Sequence, residues 1–85
     1  MKKEFRVRKN EDFSRIIKKK QSMANRSFII YYLKNDLDHA RIGISVSKKL
    51  GKAVIRNKIK RQVRMMLQQT INFDDNYDYI VIRSE

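Results

Sequence analysis

The sequence predicts one small domain that combines helices with a β-sheet. Two stretches carry apolar residues at helical spacing, and three others are β-branched and aromatic or alternate between apolar and polar residues. A chain of 85 residues holds one thin core, since a domain of this size buries only about 60% of its unfolded surface. We therefore predict a single domain over residues 1–85, without internal repeats.

The first helix is predicted from about Glu11 to Lys19, after a basic arm over residues 1–9. Asn10 is the candidate N-cap, acidic residues follow it, and lysines fill the last turn, where the helix dipole favours cations. The apolar positions of this helix are Phe13, Ile16 and Ile17.

Strands are predicted over residues 27–33, 41–47 and 77–83. The first is apolar on both faces, and a turn at residues 35–38 separates it from the second, as in a hairpin. The second strand alternates, so that Ile42, Ile44 and Val46 face a core and Gly43, Ser45 and Ser47 form a small polar face. Such a face leaves room for a ligand, although a solvated strand face is the simpler explanation and, on this pattern alone, the favoured one.

The second helix is predicted from about Ala53 to Gln69, after Gly51. At 100° per residue its apolar stripe consists of Ile55, Ile59, Val63, Met66 and Leu67. The adjoining surface, here called the basic arc, consists of Arg56, Asn57, Lys60, Arg61 and Arg64. The apolar stripe of this helix is thus expected to lie in the core, and the basic arc is expected to lie on the surface.

The net charge of +12 predicts a polyanionic partner, because self-repulsion of this size is offset by binding negative charge. No acidic residue occurs between His39 and Phe73, where nine lysines and arginines lie. The charge alone is also compatible with a solvated basic face, with a helix on a membrane surface, and with a helix that reads DNA.

Composition argues against catalysis by the protein alone. The chain has one histidine, no cysteine and only two glycines, so thiolate chemistry, zinc–thiolate sites and glycine-rich phosphate loops are absent. His39, next to Asp38 in a turn, is expected to be a solvated residue. The lack of cysteine, of a long apolar run and of a signal-peptide pattern favours a cytoplasmic protein that binds no membrane.

The stretch from Gly43 to Arg61 resembles the signature of the bacterial ribonuclease P protein family. Its core is Arg56-Asn57-x-x-Lys60-Arg61, and the resemblance extends to Asn10-Glu11-Asp12-Phe13, to Ala24-Asn25-Arg26-x-Phe28 and to the strand at residues 79–82. The similarity covers nearly the whole chain in the order of the family.

The resemblance implies an α+β fold: an N-terminal helix, a mixed sheet of about four strands, and a basic signature helix in a left-handed βαβ crossover. It further implies a terminal helix that follows the last strand and that this chain lacks. The sheet face which that helix covers is therefore expected to be exposed. Three alternatives stay open at this point: a natural truncation, a fragment, or a protein that completes its core by self-association.

Family roles, carried over by position, imply an accessory subunit of an endoribonuclease. The protein is expected to bind the catalytic ribonuclease P RNA and the 5′ leader of precursor tRNA, with Mg²⁺ held mainly by RNA and no protein-only metal site. The implied RNA-binding residues are Arg56, Asn57, Lys60, Arg61, Arg64, Lys48, Lys49 and Lys52, and Arg6, Arg8 and Lys9 extend this surface. The implied leader cleft consists of Phe13, Ile17, Tyr31, Ser45 and Ser47. The alternative is a basic DNA-binding or ribosome-associated module.

Overall fold

A four-stranded sheet lies between two helices in the computed structural model, which describes residues 3–24 and 28–83. In chain order the elements are α1 (Asn10–Lys18), β1 (Ser22–Ala24), β2 (Phe28–Lys34), β3 (Arg41–Val46), α2 (Ala53–Thr70) and β4 (Tyr77–Arg83). Short 3-10 turns at Lys3–Phe5 and Lys48–Leu50 precede α1 and α2. The predicted α+β class is confirmed; the predicted strand start at Ser27 falls outside the described residues.

The strand order in the sheet is β1-β2-β4-β3. β4 pairs antiparallel with β2 and parallel with β3, so the sheet is mixed and α2 forms the crossover of a β3-α2-β4 unit. The hairpin expected between β2 and β3 is wrong, because β4 lies between those two strands. The left-handed crossover implied by the family resemblance stays a prediction.

Each face of the sheet packs against one helix and has its own core cluster. On the α2 face Ile42 and Val81 pack against Val63 and Leu67. On the α1 face the buried members are Val7, Ile16 and Ile80. Val7 thus anchors the segment that was predicted to be a basic arm, and its backbone N–H donates to the carbonyl of Ile42.

The second face of β3 is not the open polar face that strict alternation predicts. Gly43 is buried, and a Cβ atom at this position would lie 2.7 Å from Cζ of Phe13 and 2.8 Å from Cδ1 of Ile80. Glycine therefore lets the ring of Phe13 lie directly on the sheet. Ser45, two residues further along the same face, is exposed as predicted.

The apolar stripe of α2 is only partly buried. Val63 and Leu67 are in the core, whereas Ile55 and Met66 are 49% and 44% exposed. Arg56 precedes Val63 by about two helical turns and therefore points in nearly the same direction. The helix is rotated toward its basic arc, and this rotation takes Ile55 and Met66 out of the core.

Two local predictions differ from the structure. Lys9, not Asn10, occupies the N-cap position of α1, where no side chain caps the helix, and Asn10 is its first residue. The strand β1 has no apolar pattern and all its residues are exposed. It exists because its backbone pairs with residues 29–31 of β2, which no local sequence signal announces.

Candidate nucleic-acid interface

A cleft of about 420 Å³ opens at the outer edge of β3, between α1 and α2. We call it the edge cleft; its lining residues are Asn10, Phe13, Ser14, Ile44, Ser45, Val46 and Lys60. Three elements thus contribute an aromatic ring, a strand edge and a cation to one depression. β3 is an edge strand, so part of its backbone hydrogen-bonding capacity is available to a ligand there.

The structure brings some, but not all, of the predicted cleft residues together. Phe13 and Ser45 line the edge cleft beside Lys60. Ile17 and Tyr31 are half-buried against the α1-face core and are not among the lining residues. Ser47 caps a turn, since its hydroxyl oxygen accepts a hydrogen bond from the backbone N–H of Lys49 at 3.2 Å.

The basic arc runs along the flank of α2 that continues from the edge cleft. Arg56, Lys60 and Arg64 recur every fourth residue and are half-buried, whereas Asn57 and Arg61 are exposed. The Nε atom of Arg56 is buried and has no hydrogen-bond partner. A buried donor without a partner costs free energy, so the placement of Arg56 is not explained by stability of the free protein.

The N-terminal end of α2 concentrates positive charge where the helix dipole is already positive. No acidic residue occupies the first turn, and Lys52 is at the N-cap without a side-chain hydrogen bond. Lys48 and Lys49 are exposed on the preceding 3-10 turn. This arrangement destabilises the free helix and favours a bound anion, since backbone N–H groups at a helix start bind phosphate.

Arg6 and Arg64 come close together next to β3. Burial lowers the pKa of the Arg64 guanidinium, and the positive charge of Arg6 lowers it further. Arg6 forms a β-bridge with Ile42, which places it near α2. A second depression of about 480 Å³ is lined by Arg6, Arg8, Lys9, Asp12 and Arg41, so the basic surface predicted for residues 6–9 reaches around the β3 edge.

A buried ion network, which the sequence patterns did not predict, lies beneath the start of α1. Asp78 in β4 is fully buried and accepts hydrogen bonds from Nε of Arg41 at 2.9 Å and from a terminal nitrogen at 2.6 Å. The amide nitrogen of Asn35 donates to the same carboxylate at 2.8 Å. The bond to Asp78 raises the pKa of Arg41. The only local signal was an aspartate within an otherwise apolar strand.

His39 is not the solvated residue predicted from its place in a turn. Its Nε2 donates to the carbonyl of Glu4 at 2.7 Å, and its Nδ1 lies 2.9 Å from a carboxylate oxygen of Asp38. The bond to Asp38, followed by that to Glu4, raises the pKa of His39. Its ring also meets Phe5 edge to face. His39 therefore fastens the Lys3–Phe5 turn to the domain.

Metal-binding clusters and membrane-spanning helices are both absent from the described ranges, 3–24 and 28–83. Within them, no group of three or more histidines, cysteines, aspartates or glutamates has the arrangement of a metal site. No helix in those ranges combines the length and the apolar character needed to cross a membrane.

Fold and surface together define a small basic α+β binding domain, in which the basic arc adjoins a cleft at a strand edge through Lys60. The sequence model of the family described as Ribonuclease P matches residues 1–85. The chain is 49% identical over 82 residues to a ribonuclease P protein component of Streptococcus agalactiae, an alignment that covers 96% of this chain and 75% of that protein.

Solved structures agree with the sequence comparison. The ribonuclease P protein of Staphylococcus aureus has a TM-score of 0.86 and 51% identity, covering 94% of this chain and 74% of that one. The protein of Thermotoga maritima has a TM-score of 0.82 and 37% identity over 94% of this chain and 74% of that one. The chain belongs to the ribonuclease P protein family, the protein components of an endoribonuclease ribonucleoprotein. Its partner is accordingly a ribonuclease P RNA.

Proposed function

We propose that this chain holds the 5′ leader of precursor tRNA in the edge cleft while the basic arc docks on the catalytic RNA. The observation that carries the proposal is the juxtaposition of Phe13, Ser45 and Lys60 in one cleft. An aromatic ring stacks on an unpaired base, a hydroxyl hydrogen-bonds to a base or sugar, and a lysine neutralises a phosphate. Single-stranded RNA presents an unpaired base, a sugar and a phosphate together, whereas the bases of a duplex are paired and stacked inside it.

The charge distribution supports docking of α2 on RNA. The cations of the basic arc and of residues 48–52 lie on one helix flank and its N-terminus, and no acidic residue interrupts them. Each phosphate neutralised releases condensed counterions, so affinity depends on salt. A DNA-binding or ribosome-associated role uses the same charge, but the family membership favours ribonuclease P RNA.

The assay that tests the whole proposal is cleavage of a leader-bearing precursor tRNA by bacterial ribonuclease P RNA at low Mg²⁺. Adding this chain is expected to restore cleavage at the mature 5′ end. Failure to do so, with an intact S. aureus ribonuclease P protein active in parallel, refutes the proposal for this chain.

A substitution of Phe13 tests the leader cleft specifically. Phe13→Ala is expected to lose about 1–3 kcal/mol of binding to precursor tRNA, the contribution of one stacked base, and little for mature tRNA. Phe5→Ala is the matched control, because Phe5 packs on His39 and Phe73 away from the edge cleft. Equal losses for both tRNAs would assign Phe13 to the core alone.

Mg²⁺ enters the proposal as an ion bound mainly by the RNA and the substrate. The acidic side chains of the ion network do not fit a metal, since Asp12 and Asp78 are paired with Arg15 and Arg41. Phosphate oxygens of the RNA are the hard ligands that Mg²⁺ prefers. The protein's own part is to bind and orient RNA.

Self-association through an uncovered sheet face stays a prediction, and among the described residues the α2 face is the one that carries exposed apolar groups. On that face Met23 is 59% exposed, and a narrow groove lies between Phe28, Ile59 and Met66. Sedimentation equilibrium across a hundredfold range of concentration measures it directly: a constant monomer mass rejects it.

A further inference from the structure

We propose that Asp12 and Arg15 are positioning residues that lock α1 onto the sheet and thereby place Phe13 in the edge cleft. This inference rests on the proposed function, since it concerns the leader cleft. Neither side chain lies in the basic arc, and both belong to the ion network around the buried carboxylate of Asp78.

The two side chains connect α1 with the ion network beneath it. A terminal nitrogen of Arg15 lies 3.4 Å from a carboxylate oxygen of Asp12 and 3.6 Å from one of Asp78. Asp12 in turn lies 3.7 Å from a terminal nitrogen of Arg41, which is itself forked onto Asp78. Two carboxylates and two guanidiniums thus alternate in one cycle of ion pairs that joins the helix to the sheet, and their charges cancel.

The helix has few other means of holding its position. α1 has nine residues, no side-chain cap at its start and one fully buried side chain, Ile16. An isolated helix of this length is unstable in water, so tertiary contacts decide where it lies. Its apolar contacts come from Ile16 and from the half-buried Phe13 and Ile17. The ionic contacts of Asp12 and Arg15 add a restraint on the neighbouring side of the helix, which opposes rotation about the helix axis.

The register of these contacts links the network to the cleft. Asp12 and Phe13 are consecutive on α1, and they reach Arg41 and Gly43, which are on the same face of β3 two residues apart. Any rotation that takes Asp12 from Arg41 moves Phe13 from its seat on Gly43. The position of the Phe13 ring and the ion pair of Asp12 with Arg41 therefore depend on the same orientation of α1.

The test compares Asp12→Asn with Glu11→Gln in the assembled holoenzyme with precursor and mature tRNA. Both substitutions remove one negative charge from the same helix turn, but the exposed Glu11 makes no ion pair in the described part of the chain. Asp12→Asn is expected to lower the preference for precursor over mature tRNA about threefold, a size typical of a half-exposed ion pair. Glu11→Gln is expected to leave that preference unchanged, and Asp12→Glu to restore most of it.

A double substitution separates positioning from general destabilisation. If Asp12 acts through Phe13, Asp12→Asn causes no further loss of leader preference in a Phe13→Ala background. A full additional loss there, or equal effects of Asp12→Asn and Glu11→Gln, overturns the inference. Urea unfolding of each variant verifies that the protein is folded under assay conditions. A similar comparison of Arg15→Gln with Lys18→Gln, on the exposed side of α1, repeats the test with the opposite charge.

The same data distinguish this inference from the proposed function. If Phe13→Ala leaves leader preference intact, the leader cleft itself is wrong. If Phe13→Ala removes the preference and Asp12→Asn does not affect it, the cleft stands and the positioning role is rejected.

Discussion

Adding one methyl group at Gly43 is expected to destabilise the domain and displace the ring of Phe13. The new Cβ atom would lie 2.7 Å from Cζ of Phe13, 2.8 Å from Cδ1 of Ile80 and 3.1 Å from Cβ of Val7. The first two atoms are side-chain ends, but Ile80 is fully buried. The Cβ atom of Val7 is fixed by its own backbone, whose N–H donates to the carbonyl of Ile42. Of the three neighbours, the half-buried ring of Phe13 is the one free to move.

The magnitude follows from opposing contributions. Overpacking a core by one methyl group costs about 1–3 kcal/mol, and two contacts below 3.0 Å indicate the upper half of that range. Replacing glycine by alanine also stabilises the folded state by about 0.4–1 kcal/mol, because it reduces the conformational entropy of the unfolded chain. This contribution applies here because Gly43 has no positive φ. The net loss in the free energy of unfolding is then about 1–2.5 kcal/mol.

Urea unfolding followed by circular dichroism measures this loss. With a slope of about 1–1.5 kcal/mol/M for a small domain, the midpoint of Gly43→Ala falls by about 0.7–2.5 M. Combining it with Phe13→Leu, which shortens the clashing side chain, is expected to recover part of the stability but not the leader preference. A single Gly43→Ala variant with unchanged midpoint and unchanged leader preference refutes the close packing of Phe13 on β3.

Three further substitutions test different parts of the structure. Arg61→Gln is expected to reduce the salt dependence of binding to catalytic RNA by about one charge, while Lys34→Gln on β2 leaves it unchanged. The pKa of His39 is raised above 6.5 in the folded state, so its stabilisation is complete below pH 6.5 and is lost as pH rises through the folded pKa. The His39→Gln variant is expected to show a weaker pH dependence of the urea midpoint. Gly51→Ala is expected to cost about 1–3 kcal/mol in thermal unfolding, because φ at Gly51 is +135°, a conformation alanine rarely adopts.

Local sequence patterns predicted the elements that carry their own signal. The helix at residues 53–70, the strand at residues 77–83 and the alternation in β3 all follow from periodicity, which is set within one element. Strand order is different, because β4 enters between β2 and β3 through pairings that span the whole chain. Without the family resemblance, a hairpin between β2 and β3 was the natural but incorrect expectation.

The site shows the same division. The basic arc was visible as a charge pattern, and Phe13 and Ser45 were placed in a cleft by resemblance. The ion network could not be predicted, because Asp12 and Asp78 are distant in sequence and neither belongs to a local pattern that indicates an ion pair. The rotation of α2 toward Arg56 could not be predicted either. Helical spacing gives the width of the apolar stripe, but the contacts with the sheet decide which part of that stripe is buried.

The central position of β4 has a consequence for how the domain folds. β4 is the strand synthesised after all the others described, yet it hydrogen-bonds to both β2 and β3. Until it arrives, β3 lacks a strand partner and β2 has only the short β1, so two apolar strands stay open to wrong pairing. Such non-local closure slows folding, and a highly charged chain repels its own copies during that delay. The positive charge that suits this protein to RNA thus also protects it before its sheet is complete.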